Sequence, residues 1–253
     1  MNARVALVTG ASRGIGAAIA RALSADGCHV VGAARSLEAL QSVVDGLPTP
    51  SLAYACDLSA PDAAHALVDA ALARFGRLDI VVNNAGATPR GDFLAFDDAA
   101  WENGFALKFF GAVRLCRAAW PHLAATQGCI VNIAGVGGRT GSATFSIGGS
   151  VNAALLNLTK SLADRGVGDG VRVNAVNPSS IATERTQVRI ERLAKERGIA
   201  TDEAAAALAR ELRVARFGTP EEIASVVAFL CSPGAGYMQG AIVDVDGGQT
   251  RTL

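Results

Sequence analysis

Residues 9–16 read Thr9-Gly10-Ala11-Ser12-Arg13-Gly14-Ile15-Gly16, directly after the apolar run Val5 to Val8. A strand, a glycine turn and a helix start in that order make a cradle for phosphate. Gly10 permits the tight turn, Gly14 lets backbone approach a pyrophosphate, and Gly16 lets the helix pack on the strand. Free N–H groups of the first helical turn then face the phosphates, with Ser12, Arg13 and Ile15 completing the lining.

Groups that could move a proton are scarce. The chain has three lysines (Lys108, Lys160, Lys195) and no tyrosine between Tyr54 and Tyr237. His29, His65 and His122 lie far apart and offer no metal-ligand spacing, so no metal site is expected. Ser142, Thr144, Ser146, Ser150 and Asn152 cluster in a stretch loosened by Gly137-Gly138, Gly141 and Gly148-Gly149. Hydroxyls there could polarise a carbonyl, but they are poor acids without help, and the preferred reading is that several line a loop or cap the helix start.

The elements that must position these groups follow from periodicity. Val/Ile/Leu-rich runs predict strands near 4–9, 28–34, 51–56, 78–83, 128–134, 170–176 and 240–245. Helical patterns fill 14–26, 36–46, 60–75, 97–125, 148–165, 184–213 and 219–231. Strands that are apolar on both faces, such as Leu78-Asp79-Ile80-Val81-Val82, need helices on both sides. Gly27, Gly76, Gly128 and Gly170 mark helix ends where a left-handed cap is expected. No linker or repeat divides the chain, so residues 1–253 are read as a single domain. The expected fold is α/β: a doubly wound Rossmann-like domain with a seven-stranded parallel sheet and helices on both faces. The Arg-rich stretch 184–213 reads either as a solvated helix pair or as a lid over the cleft.

The glycine spacing, Gly-x-x-x-Gly-x-Gly, is joined by four further segments: Asn83-Asn84-Ala85-Gly86, Arg172-Val173-Asn174-Ala175-Val176-Asn177-Pro178, Arg216-Phe217-Gly218-Thr219-Pro220-Glu221-Glu222-Ile223-Ala224, and Val243-Asp244-Val245-Asp246-Gly247-Gly248. In these the chain resembles the classical short-chain dehydrogenase/reductase family over essentially its whole length. The resemblance implies NAD(H) or NADP(H) at the carboxyl edge of the sheet, a small-molecule substrate, and a homo-oligomer, tetramer or dimer. It also implies that Asp57, beside Leu58, contacts the adenine amino group. Asn83, followed by Ala85 and Gly86, would serve the cofactor ribose region. The Ile181 backbone and Thr183 would face the nicotinamide amide, after Pro178-Ser179 where the family has Pro-Gly. An NAD-selective site needs a carboxylate at the end of the second strand, but Ala34 stands there, followed by Arg35. Arg35 and Arg13 suit a 2′-phosphate, so NADP(H) is favoured over NAD(H), although both also read as surface arginines.

The family reduces carbonyls with Tyr-x-x-x-Lys, a serine and an asparagine. Counting back from Ala153-Ala154-Leu155-Leu156-Asn157-Leu158-Thr159-Lys160 places Asn152 at the lysine position and Gly148 at the tyrosine position. The serine position falls on Gly135, and Lys108, framed by Trp101 and Gly111, takes the asparagine position. The usual tetrad is thus expected to be degenerate, with asparagine and lysine exchanged between two helices. Lys108 and Asn152 are the candidate catalytic residues. Lys108 would keep a cation near the cofactor ribose or act as a general acid, its pKa depressed by burial beside another cation. It reads equally as a residue that neutralises phosphate or fills space. Phe145 lacks the hydroxyl to replace tyrosine. The 88–96 loop and the 184–213 stretch would shape the substrate pocket, where Arg90 or Arg185 could attract an acidic group or remain solvated.

The charge balance, 23 basic against 23 acidic residues, argues against nucleic acid as a partner. Five unpaired-looking cysteines suit a reducing compartment. A first strand starting near Arg4 leaves no room for a leader, and no apolar run is membrane-length. A cytoplasmic protein with no membrane partner is therefore expected. The leading functional expectation is an NADP(H)-dependent oxidoreductase acting on an unidentified small carbonyl or alcohol by an atypical acid/base arrangement. The alternatives are a non-redox lyase or hydrolase on the same fold, or a catalytically silent nucleotide-binding or assembly subunit.

Overall fold

The computed structural model describes residues 3–251. Its strands are β1 (Val5–Thr9), β2 (His29–Ala34), β3 (Ser51–Ala55), β4 (Ile80–Asn83), β5 (Cys129–Ile133), β6 (Arg172–Pro178) and β7 (Ile242–Val245). The helices are α1 (Gly14–Ala25), α2 (Leu37–Val44), α3 (Ala63–Phe75), α4 (Asp98–Phe105), α5 (Ala112–Thr126), α6 (Ser146–Asp169), α7 (Glu184–Arg197), α8 (Thr201–Leu212) and α9 (Pro220–Cys231).

The strands form one parallel sheet in the order β3-β2-β1-β4-β5-β6-β7. The chain winds outward from β1 to β3, returns to place β4 against β1, and winds outward the other way. The crevice at that reversal, beyond the carboxyl ends of β1 and β4, is where doubly wound sheets hold ligands. Strand alternation divides the core in two. Ala6, Val8, Ile80, Val82 and Val131 pack with Ile19 and Leu23 of α1 and Val227 and Leu230 of α9. Val5, Leu7, Val81 and Ile130 face the other way, against Leu67 and Val68 of α3 and Leu115 and Leu123 of α5. Each large side chain buried this way contributes roughly 1.5–3 kcal/mol.

One buried charge fixes the amino ends of the central strands. Asp79 accepts from Arg77 Nε (2.9 Å) and Nη2 (2.6 Å), and its Oδ2 also accepts from the Val5 N–H (2.8 Å). The pair ties β1 to β4 in register, which keeps their far ends level at the crevice.

Two local expectations are revised. The predicted 97–125 helix is α4 and α5 joined through a π-helical segment, Ala106–Gly111, which contains Lys108. The 184–213 stretch is a helix pair, as one of its two readings expected, separated at Gly198 and with a small core of its own: Ile190 and Ala194 meet Ala204 and Leu208. At the end of α5 it is Gln127, not Gly128, that takes the left-handed conformation (φ 51°). Gly128 is required for a different reason, because a Cβ there would lie 2.3 Å from the Asp79 carbonyl oxygen.

Candidate active site

Helix α1 begins without a side-chain cap and with no acidic residue in its first turn. Its first N–H groups and its positive dipole end are therefore left for an external anion. Gly10 (φ 66°) and Gly14 (φ 54°) bend the approach, and a Cβ on Gly16 would sit 2.1 Å from the Gly10 carbonyl oxygen. Thr9 and Asn84 lock this turn to the end of β4. Thr9 Oγ1 accepts from the N–H groups of Asn84 (3.0 Å) and Ala85 (2.9 Å), and Asn84 Nδ2 donates to the Thr9 (2.9 Å) and Gly10 (3.2 Å) carbonyls.

A cavity of about 240 Å³ opens on this turn. Gly10 and Ser12 through Gly16 line it, together with Arg35, Leu58, Ala85, Gly86 and Thr183. An uncapped helix end, a glycine turn too tight for side chains and a guanidinium at the end of β2 fit a dinucleotide with an added phosphate. Two expected residues are not among the side chains lining this cavity. Asp57 is not part of the lining, and its Oδ1 accepts from the Ser59 N–H (2.9 Å) and hydroxyl (2.7 Å). These bonds hold its carboxyl below the usual carboxylate range. Asn83 is buried as the last residue of β4, paired in register with Asn132, and donates to Asn132 Oδ1 at 2.8 Å. Strand parity turns it into the core, and Asn84, the first residue beyond the sheet, reaches the cavity instead. Arg13 forms a 2.5 Å ion pair with Glu184, so it is shared between the glycine turn and the start of α7.

A second cavity of about 620 Å³ shares Ile15, Asn84, Gly86, Thr183 and Arg185 with the first, so the two form one cleft. Pro178, Ile181, Lys108, Asn152 and Gly135 line this part. The π turn aims Lys108 inward, where its stem lies against Gly86. A Cβ on Gly86 would come within 2.7–2.9 Å of the lysine's Cδ, Cγ and Cβ. Lys108 Nζ donates to the Ala134 carbonyl (2.6 Å) and to Asn152 Oδ1 (2.6 Å). Burial, reinforced by the nearby Arg185 guanidinium, lowers its pKa from 10.5 to about 7. Arg185 is itself held in place by a 2.9 Å bond from Nη2 to the Gly86 carbonyl.

Comparison with known proteins agrees with this architecture. A family model described as enoyl-(acyl carrier protein) reductase matches residues 10–250. The chain is 34% identical to a meso-2,3-butanediol dehydrogenase of Serratia marcescens, over 98% of this chain and 95% of that protein. It is also 34% identical to a 3-oxoacyl-[acyl-carrier-protein] reductase of Vibrio cholerae, over 98% of each. The chain belongs to the short-chain dehydrogenase/reductase family. The crystal structure of L-sorbose reductase from Gluconobacter frateurii, complexed with NADPH and L-sorbose, superimposes with a TM-score of 0.94 at 33% identity, covering 100% of this chain and 98% of that one.

Few groups able to transfer a proton enter the cleft. Neither tyrosine lines it: Tyr54 is on β3 and Tyr237 is fully exposed. Gly148, assigned from sequence to the tyrosine position, is covered by the Phe145 ring, whose Cζ would be 2.1 Å from a Cβ on Gly148. Gly135, assigned to the serine position, has φ 147°, a conformation that strains any L side chain, and its N–H donates to Asn177 Oδ1 (3.0 Å). Gly148→Tyr alone is therefore expected to lose about 1–3 kcal/mol or more by overpacking. Adding Phe145→Ala is expected to return most of that loss, with urea denaturation as the measurement.

Of the hydroxyls singled out from sequence, Ser142 and Thr144 line the cavity, whereas Ser146 and Ser150 do not. Arg189 and Arg192 do line it, beside Arg90 and Arg185. The sequence showed them only as members of an Arg-rich helix. Their i, i+4, i+7 spacing with Arg185 was the available signal for a shared face. Among the described residues no group of acidic, His or Cys side chains could hold a metal, and no helix is long and apolar enough to cross a membrane.

Proposed function

We propose that the protein is an NADP(H)-dependent oxidoreductase interconverting a small carbonyl compound and its alcohol, with Lys108 as the proton-transfer group. The observation that carries this reading is the Lys108 amine, held by two acceptors in the same cleft that the glycine turn opens into. A nicotinamide, when bound, supplies or accepts the hydride. The chain supplies the rest. Ala134 and Asn152 each occupy one hydrogen of the Lys108 nitrogen. The remaining position carries either a proton or a lone pair, and it is the one free to exchange with substrate. In reduction the ammonium gives its proton to the carbonyl oxygen and is left as a neutral amine, reprotonated from solvent. In oxidation the amine takes the hydroxyl proton. A pKa near 7 suits both directions, because neither protonation state is rare at neutral pH.

Asn152 is the positioning residue. It is buried on α6, and its Oδ1 keeps the amine beside the Ala134 carbonyl at the end of β5. The phosphate preference rests on Arg35, which lines the cradle at the end of β2 where no carboxylate stands. The NADPH bound in the L-sorbose reductase structure supports the same choice.

The test is a fluorescence titration with NADPH and NADH, followed by a carbonyl screen monitored by nicotinamide absorbance. Binding of NADPH ahead of NADH is expected, together with turnover of at least one carbonyl. Arg35→Ala is expected to weaken NADPH about 10- to 100-fold, the loss of one charge-assisted phosphate contact, and to leave NADH little changed. Binding without nicotinamide consumption across the screen would overturn the redox reading in favour of a silent or non-redox protein.

A further inference from the structure

Deepening that reading, and resting on it, we infer that the substrate carries an anionic group, a carboxylate or a phosphate, bound by Arg90, Arg189 and Arg192 within the cavity that Lys108 enters. Arg185, Arg189 and Arg192 lie at i, i+4 and i+7 on α7 and so share one helix face. That face lines the 620 Å³ cavity, while the opposite face, through Ile190 and Ala194, packs on α8. Arg90 comes from the loop after β4, and its guanidinium stacks on the Phe145 ring at 4.1 Å from the centroid. The ring that covers Gly148 thus also forms a platform for this arginine. The two elements are close enough for their cations to repel one another. Burial, then Arg189 and Arg192, lower the Arg90 pKa.

No carboxylate lines this cavity among the described residues, although five cationic side chains do: Lys108, Arg90, Arg185, Arg189 and Arg192. Arg90 and Arg189 form no ion pair among the described residues. Glu211, the acid nearest in effect to Arg189, is engaged with Arg197 at 2.5 Å. Arg192 meets Glu196 at 3.3 Å in an exposed pair that binds weakly. Guanidinium groups converging on a cavity that no carboxylate lines are matched by an external anion, and their planar donors fit carboxylate and phosphate alike. A molecule whose carbonyl reaches Lys108 occupies the same space as these arginines, so the anion and the reacting group belong to one ligand.

Matched ligand pairs test this on the full-length protein with NADPH present. The probes are oxo acids of four to eight carbons against their methyl esters, and dihydroxyacetone phosphate against dihydroxyacetone. Binding is measured by calorimetry and turnover by nicotinamide absorbance. At least one anionic probe is expected to bind tenfold or more tightly than its neutral partner, with a gap that shrinks as salt rises. In Arg90→Gln/Arg189→Gln, checked for folding by circular dichroism, that gap is expected to fall below threefold. Preference for an oxo acid over the phosphate, or the reverse, identifies the anion. Equal binding within every pair, including no binding of either member, overturns the inference, as does a gap that survives in the double variant. Turnover of neutral ketones without any charge preference overturns it while leaving the reductase reading intact. Anion binding at the arginines without nicotinamide consumption overturns the reductase reading instead.

Discussion

Lys108→Met is expected to lower turnover by about 10²- to 10⁴-fold, the usual contribution of one positioned acid/base group. The sign of the pH dependence follows from the lowered pKa. Carbonyl reduction needs the ammonium, so its rate is flat below about pH 7 and falls tenfold per unit above it. Alcohol oxidation needs the amine, so its rate rises through the same pH. Residual activity in Lys108→Met is expected to lose this inflection. Lys108→Arg separates a proton donor from a fixed cation. It keeps the charge but does not release a proton near neutrality. Failure of arginine to rescue supports proton transfer, and full rescue would show that only the positive charge is needed. The same shift has a consequence for folding. Between about pH 7 and 10.5 the unfolded chain holds a proton on Lys108 that the folded chain has released, so this residue's contribution to stability rises with pH across that window. Urea denaturation at pH 7 and pH 10 of wild type and Lys108→Met reads it directly.

The second large effect is on stability. Asn152→Lys would place a second ammonium within reach of Lys108 at a buried position of α6, where the present amide accepts a 2.6 Å bond. Like charges in one partly dry site push each other's pKa down by units, each unit being about 1.4 kcal/mol, so a loss of about 2–4 kcal/mol is expected at neutral pH. The exchange Lys108→Asn/Asn152→Lys leaves one cation and one amide, and it is expected to recover most of that loss. A double-mutant cycle measured by denaturation gives the coupling. Additive effects would show that the two side chains do not act as a pair. Recovery would show that the site tolerates the lysine on either segment.

Much of this protein was legible without coordinates, because the signals are local. Alternating apolar strands and amphipathic helices gave the β/α order, and the glycine turn after β1 gave the phosphate cradle. Each depends only on residues a few positions apart and on the steric freedom of glycine. Counting along α6 was enough to bring Asn152 under suspicion, and the frame of Trp101 and Gly111 did the same for Lys108. Other features depended on contacts between residues far apart in the chain. Asn83 and Asn84 are neighbours with the same side chain, and only the strand's register sends one into the core and the other to the cleft. Lys108 and Asn152 stand 44 residues apart, and their 2.6 Å contact needs both the π turn and the packing of α6. Phe145 over Gly148, and Arg90 facing the arginines of α7, are pairings of loops and helices that no periodicity encodes. Short-range pattern specified the scaffold and the nucleotide turn. Burial and the meeting of distant segments decided which polar groups enter the cleft and in what charge state.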